Sequence, residues 1–315
     1  MDPTHTESSS IAIDAAHDGA RVDKMVVEAL PGLGRAGARR MFDRGAVRLN
    51  GQRVRKGDIV HTGDVLEVVA PKATGTAAVA DPDAPLTVVL ETADLVVLDK
   101  PAGQPTAPLE PGETGTLANA LVARYPEMAT IGYSPREPGL VHRLDTDTSG
   151  LVIAARTEAA FAALVRALKD ERIAKTYQLV CAAEGLAESG TIDFPLAPHP
   201  KDRRRVYACM HPRDVARYAP RPAATHYTVV RTAGPWALVE ANAPRAMRHQ
   251  IRVHFAAIGH PLVGDALYGG PEMPGLGRHA LHASQIVYPG EAGLAAFTTR
   301  SQLPLALAAL VGGEG

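Results

Sequence analysis

At 315 residues the chain can bury a sizeable core and hold more than one domain, since domains usually run about 100 to 200 residues. Hydrophobic residues make up 46% and charged residues 21%, an ordinary globular balance, and the formal net charge of −1 does not by itself announce a nucleic-acid binder, so the placement of charge matters more than its sum. Two cysteines, Cys181 and Cys209, exclude a disulfide framework and stand in no metal-ligand spacing; the N-terminus has no basic segment followed by an apolar run, and no stretch is long and apolar enough to cross a membrane, so a reducing cytoplasm is the expected setting.

Residues 1 to 18 are polar and acidic and read as a tail. From residue 19 to 70 the pattern becomes helix, turn, helix, then short strands. Val22, Met25, Val26 and Leu30 recur at helical spacing, Pro31 and Gly32 break the helix, and Ala38, Met41 and Phe42 begin a second apolar face. Asn50-Gly51 between two valine-bearing runs is a hairpin turn signal, and Gly63-Asp64 marks another turn. Basic side chains crowd this segment: Arg35, Arg39, Arg40, Arg44, Arg48, Arg53, Arg55 and Lys56. Arg35, Arg39 or Arg40, and Arg44 recur at helical spacing and can form a single phosphate-facing stripe, where the alternative is a solvated helix face.

Residues 71 to 86 are rich in Ala, Pro, Gly and Thr without periodicity and read as a linker to a larger unit, 87 to 312. That unit opens with a strand over Leu95 to Leu98, ending in Lys100-Pro101-Ala102-Gly103. Thr116 caps a helix from Leu117 that Pro126 stops. Then comes the stretch around which the chain is organised, GLVHRLDTDTSGLVIAART, Gly139 to Thr157: a charged tetrad and a small polar turn between apolar runs. A carboxylate delivered by a tight turn at the end of a buried strand is fixed and partly shielded from water, as a nucleophile or general base must be. DTDTSG also carries an echo of the aspartic-protease signature, but that chemistry needs a second like carboxylate from a similar half, and no second copy is present.

Thr157 caps a helix whose Phe161, Leu164, Val165 and Leu168 form a core face. A strand beginning Lys175-Thr176-Tyr177 follows. Residues 199 to 221 carry Lys201, Arg203, Arg204, Arg205, Arg213, Arg217 and Arg221 against Asp202 and Asp214, with Tyr207 and Tyr218 interleaved, the composition of a phosphate-binding insertion. Two strands, Thr225 to Arg231 and Trp236 to Asn242, lead to PRAMRHQIRVHFAAIGHPLVGDALYG. There Ile251, Phe255 and Ile258 mark a helix face. His249, His254 and His260 lack a carboxylate or cysteine in ligand spacing, so hydrogen-bonding or packing roles are expected of them.

Three of these strings resemble the signatures of the RluA-type pseudouridine synthases: the Lys100-Gly103 loop, HRLD-x-x-TSG at residues 142–150, and HQIRVH through GHPLVGDALYG at residues 249–269. The 20–69 segment resembles the S-four-type RNA-binding domain. The resemblance implies an α+β fold, a mixed or antiparallel sheet with flanking helices preceded by a small α+β RNA-binding domain. It implies conversion of uridine to pseudouridine without cofactor or metal, with ribosomal RNA as the first-choice partner, transfer RNA as the second, and a monomer as the simpler state. It implies Asp145 as the catalytic residue, Tyr177 stacked on the base and Arg252 ion-paired with Asp145. Arg143 would enter the RNA stack, with His142 beside it and Arg248 or Arg245 supplying the basic side chain that Ala246-Met247 lack where the family carries Gly-Arg. In the Lys100-Gly103 loop the family's Val-His-Pro is replaced by QPTAPLEP around Thr106. The competing readings are a non-catalytic RNA-binding or ribosome-assembly factor on the same fold, and a hydrolase using Asp145.

Overall fold

The computed structural model describes residues 6–29, 42, 46–71, 77–244, 246–291 and 293–312. The chain divides into two compact units, the boundary falling between residues 75 and 76.

In the first unit, strands β1 (Thr6–Ala12), β2 (Val47–Leu49), β3 (Gln52–Arg53) and β4 (Val65–Pro71) form an antiparallel sheet in the order β1-β4-β2-β3, and helix α1 (Val22–Ala29) supplies Val22, Met25 and Val26 to its core. Asn50 and Gly51 both take positive φ, 52° and 76°, the conformation of the tight hairpin turn their sequence signals. The expected tail is corrected here. Residues Thr6 to Ala12 pair with β4 along their whole length, Thr6 opposite Pro71 and Ala12 opposite Val65, and Ile13 is buried in the core. A strand held by its neighbour's backbone needs few apolar residues of its own. The second helix expected over the stretch that carries Arg35, Arg39, Arg40 and Arg44 lies outside the described residues.

The second unit is built on a nine-stranded sheet among the described residues. Its strands are β5 (Val88–Glu91), β6 (Leu95–Lys100), β7 (Ser149–Ala155), β8 (Ala174–Ala182), β9 (Ser189–Ile192), β12 (Thr225–Ala233), β13 (Trp236–Asn242), β14 (Leu281–Tyr288) and β15 (Phe297–Arg300). The order is β5-β6-β7-β14-β8-β13-β12-β9, with β15 on β14, and every pairing is antiparallel except β7 with β14. The sheet is covered on both faces. Val96 and Leu98 of β6 face the core shared with helix α2 (Leu117–Arg124), while Leu95 and Val97 face helix α3 (Glu158–Lys169). That two-sided burial explains why β7 is buried at all seven positions and reads as an unbroken apolar run.

Thr116 and Asn119 cap α2 reciprocally, and Thr157 caps α3. The linker expected over 71–86 is shorter: from residue 77 the chain belongs to the second unit. Ala78 and Ala84 are buried, the Ala78 N–H donates to the Pro135 carbonyl at 2.8 Å, and the Asp81 carboxylate accepts the Gly115 N–H at 2.9 Å. Small alanines fill narrow gaps there, which composition alone cannot distinguish from a tether. The basic insertion begins between the strands of a two-stranded hairpin, β10 (Leu196–Pro198) and β11 (Val206–Ala208), and contains a short helix α4 (Pro212–Tyr218).

At the junction of β7 and β14, Gly150 has φ 112°, and a Cβ there would lie 2.3 Å from the Ala283 carbonyl oxygen. Strain and overpacking together predict that Gly150→Ala costs about 3 kcal/mol or more. In thermal unfolding the transition of the second unit should fall by about 10 °C; an unmoved transition would mean the two strands can part at no cost.

Candidate active site

The turn that follows the HRLD tetrad is fixed from several sides. Upstream, Leu140 bridges Ala154 of β7, and the Val141 N–H donates to the Ile153 carbonyl. Lys100, at the end of β6 and fully buried, donates to three carbonyls: Pro101 and Gln104 at 2.8 Å and Thr146 at 2.9 Å. Burial lowers its pKa to about 8, opposed by the charges of Asp147 and Asp145. The Gly103 N–H reaches the same Thr146 carbonyl at 2.9 Å. The Thr106 hydroxyl donates to the Leu144 carbonyl at 2.7 Å and accepts the Leu144 N–H at 3.2 Å, stapling the loop to the residue before Asp145. Downstream, Thr148 pairs with His279 at 2.7 Å and Ser149 with His282 at 2.9 Å, and Arg278 donates to the Asp147 carbonyl at 3.1 Å.

Into this frame helix α5 (Gln250–Ala257) brings Arg252. Its Nη1 donates to Asp145 at 2.8 Å, while Nε and Nη2 form a bidentate pair with Asp265 at 2.7 and 2.8 Å. Asp265 is 1% exposed, against 24% for the Asp145 side chain, so one partner is sealed and the other opens to the cavity. Burial alone would lower the pKa of Arg252; the hydrogen bonds and charges of Asp265, then of Asp145, reverse that and raise it. The guanidinium therefore stays charged.

His249 enters α5 in the left-handed conformation, φ 56°. Its Nδ1 lies 2.9 Å from the Tyr268 hydroxyl and its Nε2 3.6 Å from Asp145. That hydroxyl accepts the Val206 N–H at 2.8 Å and shares a proton with His249 Nδ1. Burial holds the His249 pKa at about 4, the charge of Asp145 opposing, so the ring is neutral at pH 7. The departure at Ala246-Met247 is accommodated by Gln250, whose side chain accepts the Met247 N–H at 3.0 Å and closes the turn.

A cavity of about 1070 Å³ is lined by Asp145, Arg252, His249 and Tyr177 among others. Tyr177 of β8 is buried, and burial together with the Asp145 charge pushes its hydroxyl pKa upward. Asp145, Tyr177 and Arg252, from three distant parts of the chain, are thus brought to one place.

The expected RNA-contacting residues separate into groups. Arg143 is exposed at the cavity and paired with Glu137 at 2.8 Å. His142 turns inward: its Nε2 accepts the Ile153 N–H at 3.1 Å, its Nδ1 is buried without a partner, and burial, then the Lys175 charge, lowers its pKa to about 3. A neutral ring bonded to strand backbone anchors the tetrad to β7, although the residue also lines the cavity. Arg248 is exposed yet donates to the carbonyls of Arg203 and Arg204, so it docks the basic insertion against the start of α5. Arg203 is exposed, and Arg204 is exposed and paired with Asp202 at 3.1 Å. Arg205 lies over the Tyr268 ring, 5.4 Å from its centroid. Arg48 is exposed on β2. His254 and His260 make hydrogen bonds, to Thr225 and Phe194 and to the Ala182 carbonyl respectively. Asp265, Lys100 and Thr106 were not legible as site residues; the one local signal for Asp265 is an acid set in the otherwise apolar, glycine-bounded GDALYG.

Residues 94–257 match the RNA pseudouridylate synthase family and residues 20–66 the S4 domain. An uncharacterized RNA pseudouridine synthase of Chloroflexus aurantiacus is 38% identical over 89% of this chain and 85% of its own. A ribosomal large subunit pseudouridine synthase D of Xanthomonas campestris is 35% identical over 86% of this chain and 81% of its own. Among solved structures, human RNA pseudouridylate synthase domain containing 1 shares the fold, with a TM-score of 0.55 at 24% identity over 71% of this chain and 87% of that one.

Two outcomes follow from the buried groups. Asp265→Asn leaves a buried guanidinium half paired and should cost about 3–5 kcal/mol in denaturant unfolding, whereas Asp145→Asn, at the open side, should cost far less; equal costs would refute the division of labour. His142 and His279 sit at about 3 and His249 at about 4, all through burial first. With folded pKa values below the ordinary ~6.5, the unfolded chain takes up protons first, so stability is full above about pH 6.5 and falls toward pH 4 by up to about 1.4 kcal/mol per pH unit per histidine. A melting temperature flat across that window would contradict it.

Proposed function

The chain belongs to the RNA pseudouridylate synthase family, and on that premise we propose that it isomerises specific uridines of large-subunit ribosomal RNA, with the Asp145 carboxylate as nucleophile. The observation that carries this reading is the buried Arg252 held by Asp265 and presenting one N–H to Asp145, so that the carboxylate is held in one orientation in a cavity. The enzyme is an isomerase. The bond from ribose C1′ to N1 of uracil breaks, a bond from C1′ to C5 forms, the C5 proton leaves and N1 gains one, so no electrons are exchanged with an external partner.

Tyr177 offers the detached ring a flat apolar face, which keeps it from escaping before it rejoins the sugar. Arg143, exposed beside the cavity and two residues from Asp145, is placed to fill the stack that the uridine leaves, exchanging its Glu137 partner for RNA. His249, neutral, stands beside Asp145 with its Nε2 3.6 Å from the carboxylate. The names of the relatives favour large-subunit ribosomal RNA over transfer RNA, and the S4 domain supplies a second RNA contact on the same chain. A monomer acting in the cytoplasm completes the proposal.

The decisive experiment is pseudouridine mapping across total RNA from cells lacking the gene, rescued with wild type or with Asp145→Asn. Defined sites should disappear and return only with wild type; Asp145→Asn should lower turnover at least 1,000-fold, as loss of a covalent nucleophile does, with little change in RNA affinity. Sites restored by Asp145→Asn would refute the nucleophile, and an unchanged map would favour a binding factor.

A further inference from the structure

The cavity is larger than the Asp145 site, and its other wall runs along α3. Val165 and Leu168 line it, and Tyr133 lies over the start of the same stripe, in edge-to-face contact with Phe161 at 5.0 Å between ring centroids. Phe161 and Leu168 are two turns apart on one helix face, roughly 10 Å by helical rise. Tyr133 is 61% exposed, so part of its ring is open to a ligand in the cavity.

Lys175 lines the same cavity. It sits two residues before Tyr177 on β8, so both side chains leave the same face of the strand. It is 7% exposed, and its ammonium has neither a hydrogen bond nor an ion pair among the described residues. Burial alone lowers its pKa, to about 8, with no contribution from Asp145, whereas Lys100 feels both Asp147 and Asp145. At neutral pH it is a desolvated cation. Such a group is costly unless an anion comes to it.

We propose that the α3 side of the cavity is a binding subsite for the nucleotide adjacent to the target uridine, in which Tyr133 stacks on its base and Lys175 takes its phosphate. The subsite rests on the reading of the cavity as a uridine site and adds to it. The flipped uridine occupies the Asp145 side against Tyr177, and its neighbour is drawn in behind it, so the enzyme reads two successive nucleotides. A stacking contact accepts any base but favours the larger ring systems, and the buried ammonium fixes the register of the strand without reading sequence.

The test uses a short synthetic RNA spanning a uridine that the enzyme converts, and measures its Kd by fluorescence with the full chain. An abasic residue on one side of the target should weaken wild-type binding roughly 5- to 150-fold, the range of one base-to-aromatic stack. Tyr133→Ala should show the same loss and no further penalty from that abasic residue, while Tyr133→Phe retains wild-type behaviour. Lys175→Met should weaken binding and reduce the slope of log Kd against log salt by about 0.7, one single-strand phosphate contact. It should also hold or raise the melting temperature, because an unpaired buried charge is replaced by a thioether. A full abasic penalty in Tyr133→Ala, an unchanged salt slope in Lys175→Met, or a lowered melting temperature in that variant would overturn the subsite. Conversion of the same RNA by wild type is scored in parallel, so a failure of the isomerase reading shows in the product and a failure of the subsite shows in Kd.

Discussion

One guanidinium shared between two carboxylates organises the catalytic unit. A buried arginine paired with a single exposed acid would pay a desolvation cost that the pair barely returns. Arg252 avoids this because Asp265 engages Nε and Nη2 in the rigid fork that matches a carboxylate, leaving Nη1 aimed at Asp145. The sealed acid fixes the arginine, and the arginine then fixes the open acid. The order matters: were both acids sealed, the chain of positioning would end in the interior and no carboxylate would face the cavity. A lysine could satisfy neither half of this arrangement, having one nitrogen where three N–H directions are needed.

The pair constrains how the sheet must close. Asp145 precedes β7, Arg252 lies on α5, and Asp265 follows it in a turn, so 107 residues separate the two ends of the open ion pair. The parallel pairing of β7 with β14 brings His282 opposite Ser149 and Ala283 opposite Gly150, which places the His279 and His282 side chains against the turn from its far side. A side chain at position 150 would hold those strands apart, and glycine is what allows the turn to sit on them. Backbone polar groups freed by the tight turn are taken up by Lys100 and Thr106, both buried, so the carboxylate rests on a frame in which its neighbours have few alternative positions.

Much of this architecture is legible in the sequence because it is local. Capped helices, the Asn50-Gly51 hairpin and the unbroken apolar run of β6 carry their own signals, and the HRLD and HQIRVH strings point to Asp145 and Arg252. What escaped is what depends on a distant partner. β1 is a strand because β4 lies beside it, between 53 and 65 residues away in sequence, and its serines declare nothing of the kind. Ala78 and Ala84 look like tether and serve as packing. His142 stands in the middle of the most informative string and yet turns inward, because the alternation that points Arg143 to solvent sends its neighbour to β7. Asp265 becomes a site residue only when α5 and the turn after it have folded against each other.

Lys100 and Lys175 show how the same physics gives two outcomes. Both are buried, and burial lowers both to about 8. Lys100 has three carbonyls within 2.9 Å and is complete: its charge is spent on holding a turn. Lys175 has no such acceptors among the described residues and faces the cavity. A buried ammonium without acceptors either gives up its proton or gains from an anion that comes to it. The proposed phosphate contact would supply that anion beside Tyr177, and binding energy gathered there, away from the reacting bond, would then help to hold the proposed uridine against Asp145.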